Sequence, residues 1–188
     1  MIENSFINHL SGICILSSQL KDAISTFLVE EQYQPHQILF APGQFENRLC
    51  FIESGLARNY YYDEHRDDHT VKFWRPGDII LSYQGYWAQP AYFYTEVMDH
   101  SRLLTLKYDD LRGLITAFPE ASLLVKNILK IFHEEEHQKQ RLAVLSAEQR
   151  FREMKKNNRL IFQKVPLKII ASYLNMSRET LSRMISKG

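Results

Sequence analysis

At 188 residues with 45% hydrophobic and 24% charged side chains, the chain is sized for one large domain or two small ones. Its 7 glycines and 6 prolines set it apart from disordered, collagenous and low-complexity sequences. The formal net charge of +1 conceals an asymmetry: residues 1–138 carry 11 Lys and Arg against 19 Asp and Glu, net minus 8, whereas residues 139–188 carry 12 against 3, net plus 9. A compact basic segment on an acidic body attracts polyanions, nucleic acid foremost; the plainer reading is a solvated basic face that pairs with the body. No apolar run reaches the roughly 18 residues of a membrane span, and Glu3 stands where a signal peptide carries positive charge. A cytoplasmic protein with no membrane partner is expected. Cys14 and Cys50 lie far apart without a CxxC or paired His, so they suggest two small buried hydrophobes and no metal site.

In chain order, Phe6, Leu10, Ile13, Leu16, Leu20, Ile24 and Phe27 recur at three- and four-residue steps, which predicts a helix with one apolar face over residues 2 to about 30. From 36 to 108 the texture changes to seven short runs rich in aromatic and β-branched residues, from HQILF to SRLLTLKY. Turn chemistry separates them at Ala41-Pro42-Gly43, Ser54-Gly55, Asp63 to Asp68 and Arg75-Pro76-Gly77-Asp78. Closely spaced strands with no helices between them predict an antiparallel barrel or jelly roll. After Pro119, Leu124, Ile128, Ile131, Glu135, Gln138, Leu142 and Leu145 alternate steps of four and three. That seam predicts a long helix that pairs with a second copy, burying Leu124, Ile128, Ile131, Leu142 and Leu145, or packs on its own domain.

The basic segment ends in a helix-turn-helix pattern. Pro166 can open a helix because a first-turn residue needs no N–H donor. Ile170, Ala171 and Leu174 share one face, and Asn175 tolerates the positive backbone angle of a three-residue turn. Ser177 is an N-cap for a helix that turns Leu181 and Met184 inward, leaving Arg178, Glu179, Ser182 and Arg183 outward. The run Ser177-Arg178-Glu179-Thr180-Leu181-Ser182-Arg183 resembles the recognition helix of the Crp/Fnr family of bacterial transcription regulators. Cys50 to Tyr62, with its Ser54-Gly55 turn, resembles a strand–turn–strand of that family's β-roll.

The resemblance implies an α+β chain in three parts: residues 1–118 as an antiparallel, cyclic-nucleotide-binding-like β-roll of jelly-roll type with flanking helices, 119–145 as a long dimerisation helix, and 146–188 as a helix-turn-helix domain. It implies a homodimer on near-palindromic double-stranded DNA, with RNA polymerase as a further partner. Arg178, Glu179 and Arg183 fall on the base-reading positions, and the chemistry agrees: an Arg fork matches guanine O6 and N7, and a carboxylate accepts from cytosine N4. Ser177, Thr180, Ser182, Lys164 and Lys168 are the candidates for backbone phosphates.

Two departures from the family pattern matter. Members that bind cyclic AMP carry Gly-Glu-Leu followed by Arg-Ser or Arg-Thr, for the ribose and the cyclic phosphate. Here Ser82 and Ala91-Tyr92 occupy those places, so cyclic AMP is not expected to bind. Ser82, Tyr83, Trp87, Ala91 and Tyr92 then remain as candidates to line a pocket for an unknown small-molecule effector, or one filled by its own aromatic side chains, which is the favoured reading. Two distant cysteines cannot hold the iron–sulfur cluster found elsewhere in the family, and no cofactor is expected. The second departure is the C-terminal side of Arg183, where five residues leave no room for the family's β-hairpin wing.

Two rival readings differ in class. One keeps the β-roll as a small-molecule sensor without regulatory DNA binding. The other takes His133-Glu134-Glu135-Glu136-His137, which satisfies H-E-x-x-H, as a zinc peptidase. No histidine follows His137 as a third ligand, and the motif sits within the seam of the long helix. No metal and no catalytic residue are therefore expected.

Overall fold

The computed structural model describes residues 5–187, the side chain of Tyr83 excepted. The amphipathic N-terminal segment forms two helices, α1 (Ser5–Ile13) and α2 (Ser18–Phe27), instead of one. Ser17 causes the break: its hydroxyl accepts from the Leu20 N–H at 3.2 Å and caps α2, a bond that starts a helix and cannot form inside one. Ile15, in the connection, faces solvent.

Eight strands follow: β1 (Val29–Tyr33), β2 (Ile38–Phe40), β3 (Arg48–Ser54), β4 (Ala57–Tyr62), β5 (Asp68–Trp74), β6 (Ile79–Ile80), β7 (Tyr94–Val97) and β8 (Ser101–Lys107), with the short helix α3 (Tyr83–Tyr86) between β6 and β7. They form two four-stranded sheets, ordered β1-β8-β3-β6 and β2-β7-β4-β5, and every recorded pairing is antiparallel. Cys50, Ile52, Ala57, Trp74, Ile80 and Leu103 meet between the sheets. Gly55, in the β3–β4 turn, has φ of +102°, and a Cβ there would stand 1.9 Å from Ser101 Oγ and 2.6 Å from Ser101 Cα. Only glycine fits, on steric and conformational grounds together.

The β-roll leads into α4 (Tyr108–Ala117) and the 25-residue α5 (Pro119–Ala143). Phe6, Leu10, Leu20, Leu111, Leu124 and Ile128 belong to one buried cluster that packs these helices against β3 and β8. This corrects one expectation: Leu124 and Ile128 are 4% and 5% exposed within their own chain, so they are not free to meet a partner. A stripe of apolar residues at four-and-three spacing serves either purpose, and here its N-terminal half closes the β-roll. Ile131 is exposed, while Leu142 and Leu145 are half-buried.

The chain then folds into α6 (Ala147–Asn157), α7 (Arg159–Lys164), α8 (Leu167–Tyr173) and α9 (Arg178–Lys187). Their core of Phe151, Ile161, Ile170, Ala171 and Leu181 is continuous with Leu56 and Phe73 of the β-roll. Among the described residues no helix is long and apolar enough to cross a membrane.

Candidate nucleic-acid interface and ligand cavity

Helices α8 and α9 are joined by a tight turn whose geometry is set residue by residue. Pro166 occupies the N-cap position of α8, one residue earlier than the first-turn place its missing N–H suggested. Asn175 adopts φ of +51°, and the Met176 N–H donates to the Ala171 carbonyl at 3.1 Å. The Ser177 hydroxyl accepts from the Thr180 N–H at 3.1 Å and donates to the Thr180 hydroxyl at 3.0 Å. Leu181 is completely buried, and the opposite face of α9 presents Arg178, Glu179, Ser182 and Arg183 to solvent. The Arg183 guanidinium rests on the Thr180 hydroxyl at 3.3 Å.

One residue of this unit is missed by sequence reasoning. Arg150, on α6, donates from Nε to the Leu174 carbonyl at 2.8 Å, from Nη1 to the Leu145 carbonyl at 2.6 Å and from Nη2 to the Asn175 carbonyl at 3.1 Å. It clamps the end of α8 and the turn before α9. Its partners are backbone carbonyls, which carry no residue identity, so no sequence signal separates Arg150 from its basic neighbours.

Lys164 and Lys168, expected to face phosphate, are both occupied. Lys164 Nζ donates to Asp99 Oδ2, and Lys168 Nζ lies 3.8 Å from Asp68 Oδ1. The Lys164 contact holds the Asp99 carboxyl below its ordinary pKa. Beside them the Ser172 hydroxyl accepts from the Thr70 N–H and donates to the Asp68 carbonyl, each at 2.9 Å. The basic helices thus lie against an acidic edge of the β-roll. Behind that edge Arg58, 6% exposed, donates to Glu96 at 2.8 Å, Asp68 at 2.6 Å and Thr70 at 3.0 Å.

The opposite face of the same sheet borders a cavity of about 400 Å³ that opens to solvent and is walled also by residues of α3 and α5. Trp74, Tyr92, Phe93 and Phe132 supply aromatic wall; Asn59 and Ser82 supply neutral polar groups, Glu46 and Glu136 carboxyls, and Lys72 and Lys139 cations. The aromatic side chains therefore do not fill the pocket, contrary to the favoured expectation. Side chains alternate faces along a strand, and Tyr60 and Tyr94 stack at 5.1 Å on one another on the Arg58 side.

Of the residues expected to line the pocket, Ser82 and Tyr92 do so; Trp87 and Ala91 do not, and the Tyr83 side chain lies outside the described residues. Ala91 is buried, with its N–H on the Gln44 carbonyl at 2.8 Å. Glu46, unforeseen, is 7% exposed; burial raises its pKa, partly offset by the Ser82 hydroxyl. Lys72 pairs with Glu135 at 2.7 Å and sits 4.0 Å from the Trp74 ring centroid. Lys139 is half-buried with its pKa lowered by burial, opposed by the charge of Glu136.

His133, Glu134 and His137 stand exposed on α5, and among the described residues no group of three His, Cys, Asp or Glu side chains is placed to hold a metal.

Comparison with known proteins matches residues 30–118 to the cyclic nucleotide-binding domain family. No curated protein matches the sequence significantly. Among solved structures, FixK2 from Bradyrhizobium japonicum is 15% identical over 85% of this chain and 83% of its own, with a TM-score of 0.71. CLP of Xanthomonas campestris, described as a c-di-GMP responsive global regulator, is 16% identical over 91% of each chain, with a TM-score of 0.68. A Eubacterium rectale protein described as a Crp/Fnr-family transcriptional regulator is 17% identical over 92% of this chain and 83% of its own, with a TM-score of 0.71. Residues 30–118, which hold the strands and the Gly55 turn, are accordingly similar to a cyclic nucleotide-binding domain, and the chain as a whole shares the fold of Crp/Fnr-like regulators.

Proposed function

We propose that the protein is a cytoplasmic, sequence-specific DNA-binding transcription regulator, not an enzyme, that acts as a homodimer on a near-palindromic operator. In this reading residues 146–188 bind DNA, residues 119–145 carry the dimer contact, and residues 1–118 sense an effector other than cyclic AMP, with RNA polymerase as a downstream partner. The observation that carries the reading is α9 itself. Its inner face is anchored by the fully buried Leu181, and Arg178, Glu179 and Arg183 project together from the free face of a helix capped by Ser177. Such a helix can enter a major groove and present two guanidinium forks and a carboxylate to base edges. A two-fold dimer sets two such helices roughly one DNA turn, about 34 Å, apart.

Selection of bound duplexes from a random library by the purified protein tests the class and yields the site. On the selected duplex, Arg178→Ala and Arg183→Ala are each expected to cost about 1–3 kcal/mol and to relax preference at one base pair. Lys164→Ala and Lys168→Ala are expected to alter binding to all sequences alike. Equal weakening of selected and random duplexes by the two Arg variants refutes base reading by α9.

A further inference from the structure

The cavity behind α5 is built differently from a cyclic phosphate site, and the difference concerns where its positive charge comes from. At the place where the phosphate cation is expected, the β-roll offers Ala91, buried and away from the cavity. The cations on the wall are Lys72 of β5 and Lys139 of α5. Lys72 is engaged twice, by Glu135 at 2.7 Å and by the Trp74 ring. Lys139 forms no ion pair among the described residues; the exposed Glu136 on the same wall opposes the effect of its burial, and Lys72 adds to it. A half-buried ammonium without an ion-pair partner is costly, and an anion brought in by a ligand reduces that cost.

The rest of the wall specifies what the anion is attached to. Trp74 and Phe132 are 6.5 Å apart in edge-to-face geometry, and Phe93 and Tyr92 continue the aromatic surface toward the mouth, where Tyr92 is 62% exposed. Asn59 Oδ1 is held by Trp74 Nε1 at 2.7 Å and by Thr95 Oγ1 at 3.0 Å, which fixes the indole; Trp74 is buried with Lys72 over its ring, so Tyr92 and Phe93 supply the exposed aromatic surface. About 400 Å³ falls within the usual range of roughly 300–1,000 Å³ for small-molecule sites and holds one or two fused rings. The Ser82 hydroxyl and the buried Glu46 carboxyl also line the cavity and offer polar partners to a ligand hydroxyl or amine.

We propose that this cavity takes a small aromatic carboxylate, with its ring among Phe132, Tyr92 and Phe93 and its carboxylate paired with Lys139. The proposal names the effector class for the regulator reading and rests on it. It also supplies a route for the signal, because Lys139 lines two further crevices of the same helix, one shared with Tyr173 and Asn158 and one reaching Arg150 and Leu174. An anion drawn to Lys139 acts on the part of α5 that faces Tyr173 of α8 across those crevices.

The test is calorimetric titration of the full chain with phenylacetate, 4-hydroxyphenylacetate and indole-3-acetate, and with the corresponding neutral amides. At least one acid is expected to saturate with Kd below about 1 mM, with its amide at least about tenfold weaker. Lys139→Met is expected to lose about tenfold or more for the acid and to leave the amide unchanged, and Lys139→Arg to retain acid binding. Absence of binding by all three acids, equal binding of acid and amide, or unchanged acid binding in a Lys139→Met protein with a normal thermal melt each overturns the proposal. Selection of duplexes by the unmutated protein without added acid separates the two levels. Sequence-specific DNA binding without acid binding refutes the effector alone, and failure to select any sequence refutes the regulator reading beneath it.

Discussion

Arg150 offers the sharpest test of how the α8–α9 unit is held together. Arg150→Met keeps much of the aliphatic stem and deletes three charge-assisted hydrogen bonds, to the carbonyls of Leu174, Leu145 and Asn175. Hydrogen bonds made by charged groups contribute about 1.5–3 kcal/mol each when a buried partner is stranded, and much less when water replaces the donor. Asn175 is exposed and Leu145 half-buried, so water can reach those carbonyls; Leu174 is 3% exposed, and its carbonyl loses a partner that water replaces poorly. The expected loss is therefore about 2–3 kcal/mol, dominated by one carbonyl, not three times the single-bond figure. Urea denaturation followed by circular dichroism measures it, and Arg150→Lys, whose single ammonium cannot span three carbonyls, is expected to recover only a minor part. A loss under about 0.5 kcal/mol for Arg150→Met refutes the clamp and means that the turn is held by Asn175 and the Ser177 cap alone.

Burial raises the Glu46 pKa from its ordinary 4.5, so the folded state holds that proton more tightly than the unfolded chain, and stability falls as pH rises from the unfolded value through the folded one. Glu46→Gln is expected to stabilise the protein near pH 7 and to have no effect below about pH 4; thermal melts showing the same gain at both pH values contradict the assignment. Cys50 is 1% exposed with its thiol pushed up to about 12, whereas Cys14 is half-buried. A thiol reagent is expected to label Cys14 in the native protein and Cys50 only after denaturation, and rapid native labelling of both refutes the packing of Cys50. Cyclic AMP is expected to give no calorimetric signal at micromolar concentration, since Ala91 offers no charge and does not reach the cavity; saturable binding there overturns that reading of the wall. Light scattering is expected to give twice the chain mass, and because Leu124 and Ile128 are buried internally, Leu123→Glu with Ile131→Glu is the pair expected to give folded monomers. A folded dimer in that double variant moves the interface off α5.

What the sequence makes legible follows from where each signal resides. The strands that were readable, such as Arg48–Ser54 and Ser101–Lys107, bury their apolar side chains between two layers. β1 reads Val-Glu-Glu-Gln-Tyr, lies at a sheet edge and is joined to β8 by its backbone, so its composition resembles a loop. The positive φ of Asn175 was readable because few residues other than glycine tolerate it, and the burial of Leu181 because it repeats at helical spacing. The pairings of Lys164 with Asp99 and Lys168 with Asp68 join residues 65 and 100 positions apart, and nothing local to either partner records them. The split of the α5 stripe was illegible for a related reason, since a helix covers its own domain or a second copy with the same residues.

The core of the last four helices is shared with the β-roll. Leu56, with no exposed surface, and Phe73 belong to the β-roll yet lie in the same cluster as Phe151, Ile161, Ile170 and Leu181. Residues 146–188 amount to 43 residues, close to the size of roughly 40 residues below which a chain seldom folds without outside help. Heat or denaturant should therefore unfold the chain in one cooperative transition, with probes on Trp74 and on the helix signal tracing the same curve. Excised from the β-roll, the four helices expose the apolar faces that Leu56 and Phe73 covered. The unit that presents Arg178 and Arg183 is in this sense an extension of the sheet it lies on, and its stability is set by residues about 100 positions away.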